Sequence, residues 1–158
     1  MKESLKPLPP EILLQILAEA YDRKAWHGPN LRGSLRGVSA EVAAWRPATG
    51  RHNIWEIAVH AAYWKYAVWR RLRGEKRGSF PLKGSNWFIR PQKLSEKAWR
   101  ADLTLLENEH RRLREAVTDY VQGKTRPVRL TQIFGVAFHD VYHAGQIQLL
   151  KRLHKKIT

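Results

Sequence analysis

Two histidines near the carboxyl-terminal end of the sequence have the spacing of paired metal ligands. His139 and His143 are four residues apart in the segment Gln132–Gln146, which contains no proline and therefore suits a helix. Positions i and i+4 lie on one face of an α-helix with Cβ atoms about 5–6 Å apart, so both imidazoles can reach one ion. Two imidazoles do not complete a coordination sphere, so a third ligand must come from elsewhere in the chain.

His60 is the best candidate for that third ligand, because it lies inside the apolar stripe of a second predicted helix. The polar face of that helix carries Lys65 and other basic residues. Three buried imidazoles without partners would cost several kcal/mol of desolvation. A divalent ion removes this cost by binding their neutral form. The sequence therefore predicts a metal site formed by His60, His139 and His143.

The other four histidines are expected to be ordinary solvated or capping side chains. His27 and His52 fall in predicted loops, His154 lies in the charged carboxyl-terminal tail, and His110 lies among charged residues of the third long helix. We therefore place His110 at the surface.

A site with three nitrogen ligands keeps at least one coordination position open, which is typical of reactive metal sites. Imidazole suits Zn²⁺, Ni²⁺, Cu²⁺ and Fe²⁺, and the residues alone do not choose among them. Such an ion can lower the pKa of bound water to about 7, which provides a nucleophile at neutral pH. The pattern thus favours a metalloenzyme that acts on a small-molecule substrate.

Three further residues are candidates for the substrate pocket. Gln146 follows His139 by seven residues and is predicted to point towards the open coordination position. Trp64 follows His60 by four residues and is a candidate for the pocket wall. Trp87 lies in a long aromatic loop and is a candidate lid residue.

Two residues near the histidines have alternative interpretations. Glu56 precedes His60 by four residues and could accept its second N–H, as metal-bound histidines usually require. The favoured interpretation is that Glu56 completes a capping box with Asn53. Gly135, four residues before His139, is expected to let a neighbouring helix approach closely.

Four long helices and one short helix account for the hydrophobic pattern, and no strand pattern is evident. The boundaries follow caps and breakers: Pro10–Lys24, the short Ser39–Ala44, Asn53–Arg73 ended by Gly74, Ser95–Val121, and a last helix from Val128 or Arg129. Glycines, prolines and the aromatics Phe80, Trp87 and Phe88 fill a long connection over 75–94. We expect one all-α domain over residues 1–158. The expected fold is a four-helix bundle of up-down-down-up type, with the long crossover between helices two and three.

Composition narrows the class of protein further. The absence of cysteine excludes thiolate metal sites and cysteine nucleophiles. The polar, proline-broken start predicts no signal peptide, and no apolar run approaches the roughly 20 residues that span a bilayer. A cytoplasmic protein without a membrane partner is expected.

The net charge of +15 favours a nucleic-acid partner. The basic residues are, however, spread along the chain, which is more typical of a solvated basic exterior.

Two segments carry a resemblance to a known family. The segment His139–Ile147 reads HDVYHAGQI and Arg51–His60 reads RHNIWEIAVH. Together they resemble the DinB/YfiT-like superfamily of bacterial metal-binding four-helix bundles, over about residues 35–153. The resemblance implies that His60, His139 and His143 bind a divalent ion, Zn²⁺ or Ni²⁺ foremost, and that the protein pairs as a homodimer. It also implies chemistry known among relatives, which include thiol-dependent S-transferases and a thiol-dependent isomerase.

Three hypotheses for function follow. The first is a metal-dependent hydrolase or thiol-dependent S-transferase, in which the ion activates water or a low-molecular-weight thiol. The second is a non-catalytic metal- or ligand-binding protein of the stress response. The third and weakest is a nucleic-acid-associated basic protein, suggested by the charge and by the arginines that follow Trp69.

Overall fold

A computed structural model of the protein describes residues 9–125 and 129–156. Across these ranges the chain is all-helical, with one isolated bridge between Ala25 and Gly28 and no strand. The helices are α1 (Ile12–Tyr21), α2 (Leu31–Leu35), α3 (Ala40–Ala44), α4 (Ile54–Arg73), α5 (Glu96–Val121) and α6 (Leu130–Lys155). The predicted all-α class is confirmed for this part of the chain.

Side-chain caps begin the helices where the sequence predicted them. The side chain of Asn53 accepts a hydrogen bond from the Glu56 backbone N–H (2.8 Å) at the start of α4. Ser39 and Ser95 make the equivalent bonds at the starts of α3 and α5. Gly74 ends α4 in the left-handed region (φ +69°), which costs glycine no Cβ clash.

The amino-terminal third of the chain differs from its prediction in two places. α1 ends at Tyr21 and not at Lys24, because Asp22 leaves the helical backbone region (φ −139°). α2 was predicted as part of a connection, since Gly33 lowers its helix propensity. Asn30 offsets this by accepting from the Gly33 N–H as an N-cap. The stretch 1–8 and Val128 lie outside the described residues, and Arg129 is the N-cap of α6.

Pairwise contacts define the directions of the long helices. Trp55 packs on Trp99 near the start of both helices (5.1 Å between ring centroids), and Arg73 pairs with Asp119 near both ends, so α4 and α5 run parallel. His60 lies beside His143, whereas Val68 packs in the same cluster as Val136 further along α4. α4 and α6 therefore run antiparallel.

Two apolar clusters hold these helices together. One surrounds Trp55, Trp99 and Ile147, and the other surrounds Leu17, Leu113 and Ile133. α4 and α6 contribute to both clusters. His139 and His143 lie on α6 between its residues of the two clusters, whereas His60 lies beside Ala61 and Ala62 of the first cluster on α4. Packing of α4 and α6 in these clusters thus fixes the parts of both helices that carry the histidines.

The long loop between α4 and α5 packs onto α4. Its aromatic residues Phe80 and Phe88 contact the ring of Tyr63, with centroids 5.4 and 5.7 Å away. Phe88 is buried. The loop is therefore a packed cover and not a free linker, as its aromatic content predicted.

Two charged or polar side chains expected at the surface are buried. Lys65 has no exposed side-chain area and forms an ion pair with the equally buried Asp140. His110 stacks on the ring of Tyr21 at 3.6 Å and is 5% exposed. Both predictions were wrong because the partners come from helices distant in sequence. Among the described residues, no helix is both long and apolar enough to cross a membrane.

Candidate metal centre

The three candidate histidines meet with their Nε2 atoms together. The Nε2 of His139 lies 3.0 Å from that of His60 and 3.0 Å from that of His143. His60 and His143 are buried, while His139 is half-buried. Each residue offers one nitrogen, and the three nitrogens lie within 4.8 Å of one another. Residues 79 positions apart in sequence are thus brought to one point by the antiparallel packing of α4 and α6.

Hydrogen bonds determine which nitrogen carries the hydrogen in two of the rings. The Nδ1 of His60 lies 2.6 Å from the backbone carbonyl of Asn86, and the Nδ1 of His143 lies 2.6 Å from Oε1 of Gln146. A carbonyl oxygen only accepts, so each Nδ1 carries the hydrogen and donates it. The Nε2 atoms of His60 and His143 therefore present lone pairs to the centre of the cluster.

The cluster is not satisfied by its own hydrogen bonds. His139 has one proton when neutral, which cannot serve both of the facing lone pairs with good geometry. Its Nδ1 is buried and has no hydrogen-bond partner among the described residues. A cation at the meeting point of the three Nε2 atoms would accept all three lone pairs. The residues present therefore fit a divalent metal ion, and the three histidines could bind one.

Burial also keeps the three imidazoles neutral. Desolvation lowers the pKa of His60 and of His143, the latter to about 4. It lowers the pKa of His139 to about 3, with smaller contributions from His143 and His60. Neutral imidazole is the form that binds metal, so no proton has to leave before an ion is bound at neutral pH.

Trp87 lies directly over one of the candidate ligands. Its ring stacks on His60 (3.8 Å, 6° between planes) and on His52 (3.6 Å, 4°). The loop that carries Trp87 thus covers one side of the cluster, and His52 takes part in this cover instead of standing alone in a loop. A role for Trp87 in holding substrate stays a prediction.

Glu56 takes neither of the roles predicted for its side chain. Its carboxylate accepts from the guanidinium of Arg46 and the backbone N–H of Arg90, and it contacts the Nδ1 of His52. Burial would raise the pKa of Glu56, but these partners outweigh it and hold the pKa below its usual value. Glu56 therefore links the loop residues Arg46, His52 and Arg90 to the start of α4. The Nδ1–H of His60 is donated to the carbonyl of Asn86 instead.

Gln146 holds the ring of His143, one of the candidate ligands. Its Oε1 accepts from His143 Nδ1, and its Nε2 donates to the hydroxyl of Tyr142 (3.1 Å). These two bonds fix the orientation of the amide. The spacing from His139 placed Gln146 on the correct face of α6, but the nearer histidine, three residues away, takes its oxygen.

Trp64 borders a groove between α4 and α6 that has His139 in its wall. Its ring lies 6.2 Å from that of His139, and both line an open groove of about 280 Å³. Gly135 also lines this groove, and a Cβ there would meet nothing within 4 Å. The expectation that Gly135 admits a neighbouring helix was therefore wrong, because the glycine faces open space.

Sequence reasoning missed Asn86. Its carbonyl accepts from His60, and its side-chain oxygen accepts from the indole N–H of Trp64 (3.0 Å). Asn86 has a positive φ of 67°, a conformation that asparagine tolerates better than most residues. The only signal in the sequence was an asparagine in a loop, which does not reveal a contact with a helix 26 residues earlier.

The fold and the cluster define a class of all-helical proteins that could hold a metal ion on histidines from two helices. The family model of the DinB superfamily matches residues 24–147, which is most of the chain, and the chain belongs to that superfamily. Comparisons with curated proteins and with solved structures find no significant match. The predicted family is thus confirmed.

Proposed function

We propose that this protein is a divalent-metal-dependent enzyme, either a hydrolase or a thiol-dependent S-transferase. The observation that carries the proposal is the meeting of three imidazole nitrogens. The Nδ1 hydrogen bonds to Asn86 and Gln146 leave the Nε2 atoms of His60 and His143 with their lone pairs facing the centre. His60, His139 and His143 would hold the ion, with Zn²⁺ or Ni²⁺ as the first candidates. A bound ion supplies Lewis-acid activation of water or of a low-molecular-weight thiol.

The chain's own residues would orient the ligands and admit the substrate. The bonds from His60 to Asn86 and from His143 to Gln146 hold both rings with Nε2 inwards. Trp87 shields one side of His60, whereas the groove beside Trp64 leaves His139 accessible. In the transferase case the thiol sulfur forms a bond to an electrophilic carbon. The leaving group departs with its electron pair, and the thiol proton passes to solvent.

The wider architecture belongs to the same proposal. We propose one domain over residues 1–158 and a four-helix bundle of up-down-down-up type made by α1, α4, α5 and α6. The parallel pair α4 and α5 supports it, because parallel neighbours need a long crossover. A homodimeric, cytoplasmic protein remains the expectation that goes with the family.

Metal analysis tests the central claim. Purified protein is loaded with Zn²⁺ or Ni²⁺, desalted and analysed for bound metal, beside the variants His143→Ala and His27→Ala. We expect about one ion per chain in the wild type and in His27→Ala, because His27 lies in an exposed loop. We expect loss of the ion in His143→Ala. A full complement of metal in His143→Ala would refute the site.

Activity is tested separately with a panel of low-molecular-weight thiols and 1-chloro-2,4-dinitrobenzene, and with ester substrates for hydrolysis. We expect turnover that chelation abolishes and that Zn²⁺ or Ni²⁺ restores. If metal binds but no panel member reacts, the non-catalytic metal-binding role is favoured. Binding of DNA with a steep salt dependence would instead favour the nucleic-acid role.

A further inference from the structure

The groove beside His139 has two chemically different ends. It runs between α4 and α6 from the histidine cluster to Arg71 and Gln132. His139 and Gln132 are seven residues apart on one helix, which corresponds to about 10 Å along the axis. The imidazole of a candidate ligand therefore lies at one end, and a guanidinium with a carboxamide lies at the other.

The middle of the groove is apolar and open. Trp64, Val68 and Val136 line it, and Gly135 leaves space because no side chain projects from that position. A glycine within a helix costs about 1 kcal/mol relative to alanine. The volume of about 280 Å³ suits a small molecule with one or two rings or a short chain. An occupant would bury an apolar body there.

Arg71 is the charged group at the far end of the groove, and its side chain makes no polar contact with the rest of the described fold. Its side chain is exposed, and among the described residues its guanidinium has no hydrogen bond or ion pair. The neighbouring Arg70 and Arg73 differ, since Arg70 donates to the carbonyl of Glu75 and Arg73 pairs with Asp119. A guanidinium binds carboxylate or sulfonate groups with two parallel hydrogen bonds.

We propose that this groove binds an elongated organic anion, with its acidic group on Arg71 and Gln132, its apolar body over Gly135, and its opposite end beside His139. The inference rests on the proposed function in one respect, because the end beside His139 is then the reacting end. Binding itself requires no metal. The substrate class of the site is thus small aromatic or aliphatic acids about 10 Å long.

Two fluorescent probes with the same apolar body separate charge from shape. 8-Anilinonaphthalene-1-sulfonate carries a sulfonate, and N-phenyl-1-naphthylamine lacks it. Each is titrated into chelator-treated protein and into Arg71→Gln. We expect Arg71→Gln to weaken sulfonate binding about tenfold or more, as for hydrogen bonds to charged groups. Binding of the uncharged probe should change less than twofold.

Arg111→Gln is the matched control for net charge. Arg111 is an exposed arginine on α5 outside the groove. It should leave the binding of both probes unchanged. If Arg71→Gln and Arg111→Gln weaken sulfonate binding equally, the effect is general surface charge, and the proposal is overturned.

A second pair of variants tests the body of the groove. Gly135→Leu should abolish binding of both probes, since the new side chain fills the open middle. Gly145→Leu is the control, because Gly145 is an equally open glycine of α6 that borders a different groove. Circular dichroism and melting temperature check folding of both. Unchanged probe binding in folded Gly135→Leu overturns the proposal.

Metal content distinguishes this proposal from the proposed function. Gly135→Leu and Arg71→Gln should both keep the metal stoichiometry of the wild type, because neither residue is a candidate ligand. Loss of probe binding with metal retained supports the groove alone. Metal binding without any groove-dependent probe binding refutes the groove and leaves the metal site standing.

Discussion

The histidine cluster and the Lys65–Asp140 pair are built from adjacent residues of α6, since His139 belongs to one and Asp140 to the other. Both place polar groups in the interior between α4 and α6. The Lys65–Asp140 pair brings opposite charges together, and the ring of Tyr21 lies 4.7 Å from the Lys65 ammonium. The histidine cluster brings together only neutral rings with inward lone pairs.

The difference separates a buried pair whose charges compensate each other from a cluster of neutral rings that could hold a cation. Burial lowers the pKa of Lys65 and raises that of Asp140 to about 6, but the two groups offset this for each other. The histidines have no such partner inside the cluster, and a cation could provide one. Neighbouring positions in one helix thus contribute to two different polar groups, a compensated ion pair and a cluster that could bind a metal ion.

Breaking the Lys65–Asp140 pair should have the largest effect on stability. Lys65→Met leaves a buried carboxylate without its partner, which we expect to lower the free energy of unfolding by about 3–5 kcal/mol. The measurement is urea denaturation of the chelator-treated protein. The double variant Lys65→Met/Asp140→Leu should recover most of the loss, because replacing both charges by apolar groups is often close to neutral. Equal losses in the single and double variants would contradict this account.

Filling the histidine cluster should stabilise the fold by ligand linkage. At a free Zn²⁺ or Ni²⁺ concentration of 100 times the dissociation constant, we expect the free energy of unfolding to rise by about 2.7 kcal/mol. Thermal or urea unfolding with and without chelator measures the rise. His60→Ala should show none, whereas His27→Ala should respond like the wild type. A metal response retained by His60→Ala would argue against the cluster.

Removing the orienting amide should weaken the metal site without abolishing it. Gln146→Ala frees the ring of His143, and loss of such a partner typically costs 10–100-fold in metal affinity. Competition titration with a chromophoric chelator gives the affinity. Gln146→Glu keeps an acceptor and should retain more affinity than Gln146→Ala. Gln148→Ala, which removes a different amide of α6, should leave the affinity unchanged.

The smallest effect concerns the pH dependence of stability at His110. Burial, with smaller contributions from Lys65, Arg114 and Arg32, lowers the pKa of His110 to about 2 from an ordinary 6.5. The unfolded chain therefore binds more protons below pH 6.5, and the folded state loses stability as the pH falls. Between pH 6.5 and 5.5 this contribution amounts to roughly 1 kcal/mol.

His110→Phe removes the titrating group and can keep the stack on Tyr21. We expect the fall in the free energy of unfolding between pH 6.5 and 5.5 to be about 1 kcal/mol smaller than in the wild type. Urea denaturation at several pH values, with chelator present, provides the measurement. His27→Gln, at an exposed histidine, serves as the control. A slope for His110→Phe equal to that of the wild type would contradict the burial effect.

Local patterns were sufficient for the helices that begin at strong caps. Asn53, Ser39 and Ser95 all cap where predicted, because a capping side chain acts on backbone N–H groups two or three residues away. The spacing of His139 and His143 on one helix face is likewise a local property. The three histidines that were singled out do come together.

Contacts across the chain decided the rest. Lys65 and His110 look like surface residues beside their sequence neighbours, and only Asp140 and Tyr21, from other helices, make their burial tolerable. Asn86, which orients His60, and Arg71, at the far end of the groove, likewise gain their meaning from segments that are distant in sequence.

By itself, the sequence determined the helical class, the family and the three histidines that meet, because helical periodicity, caps and an i, i+4 pair depend on residues a few positions apart. The tertiary structure alone decided which nitrogen of each ring faces inwards, which buried charges are compensated, and where the groove beside His139 ends. These depend on hydrogen bonds and packing between helices, which no local pattern encodes.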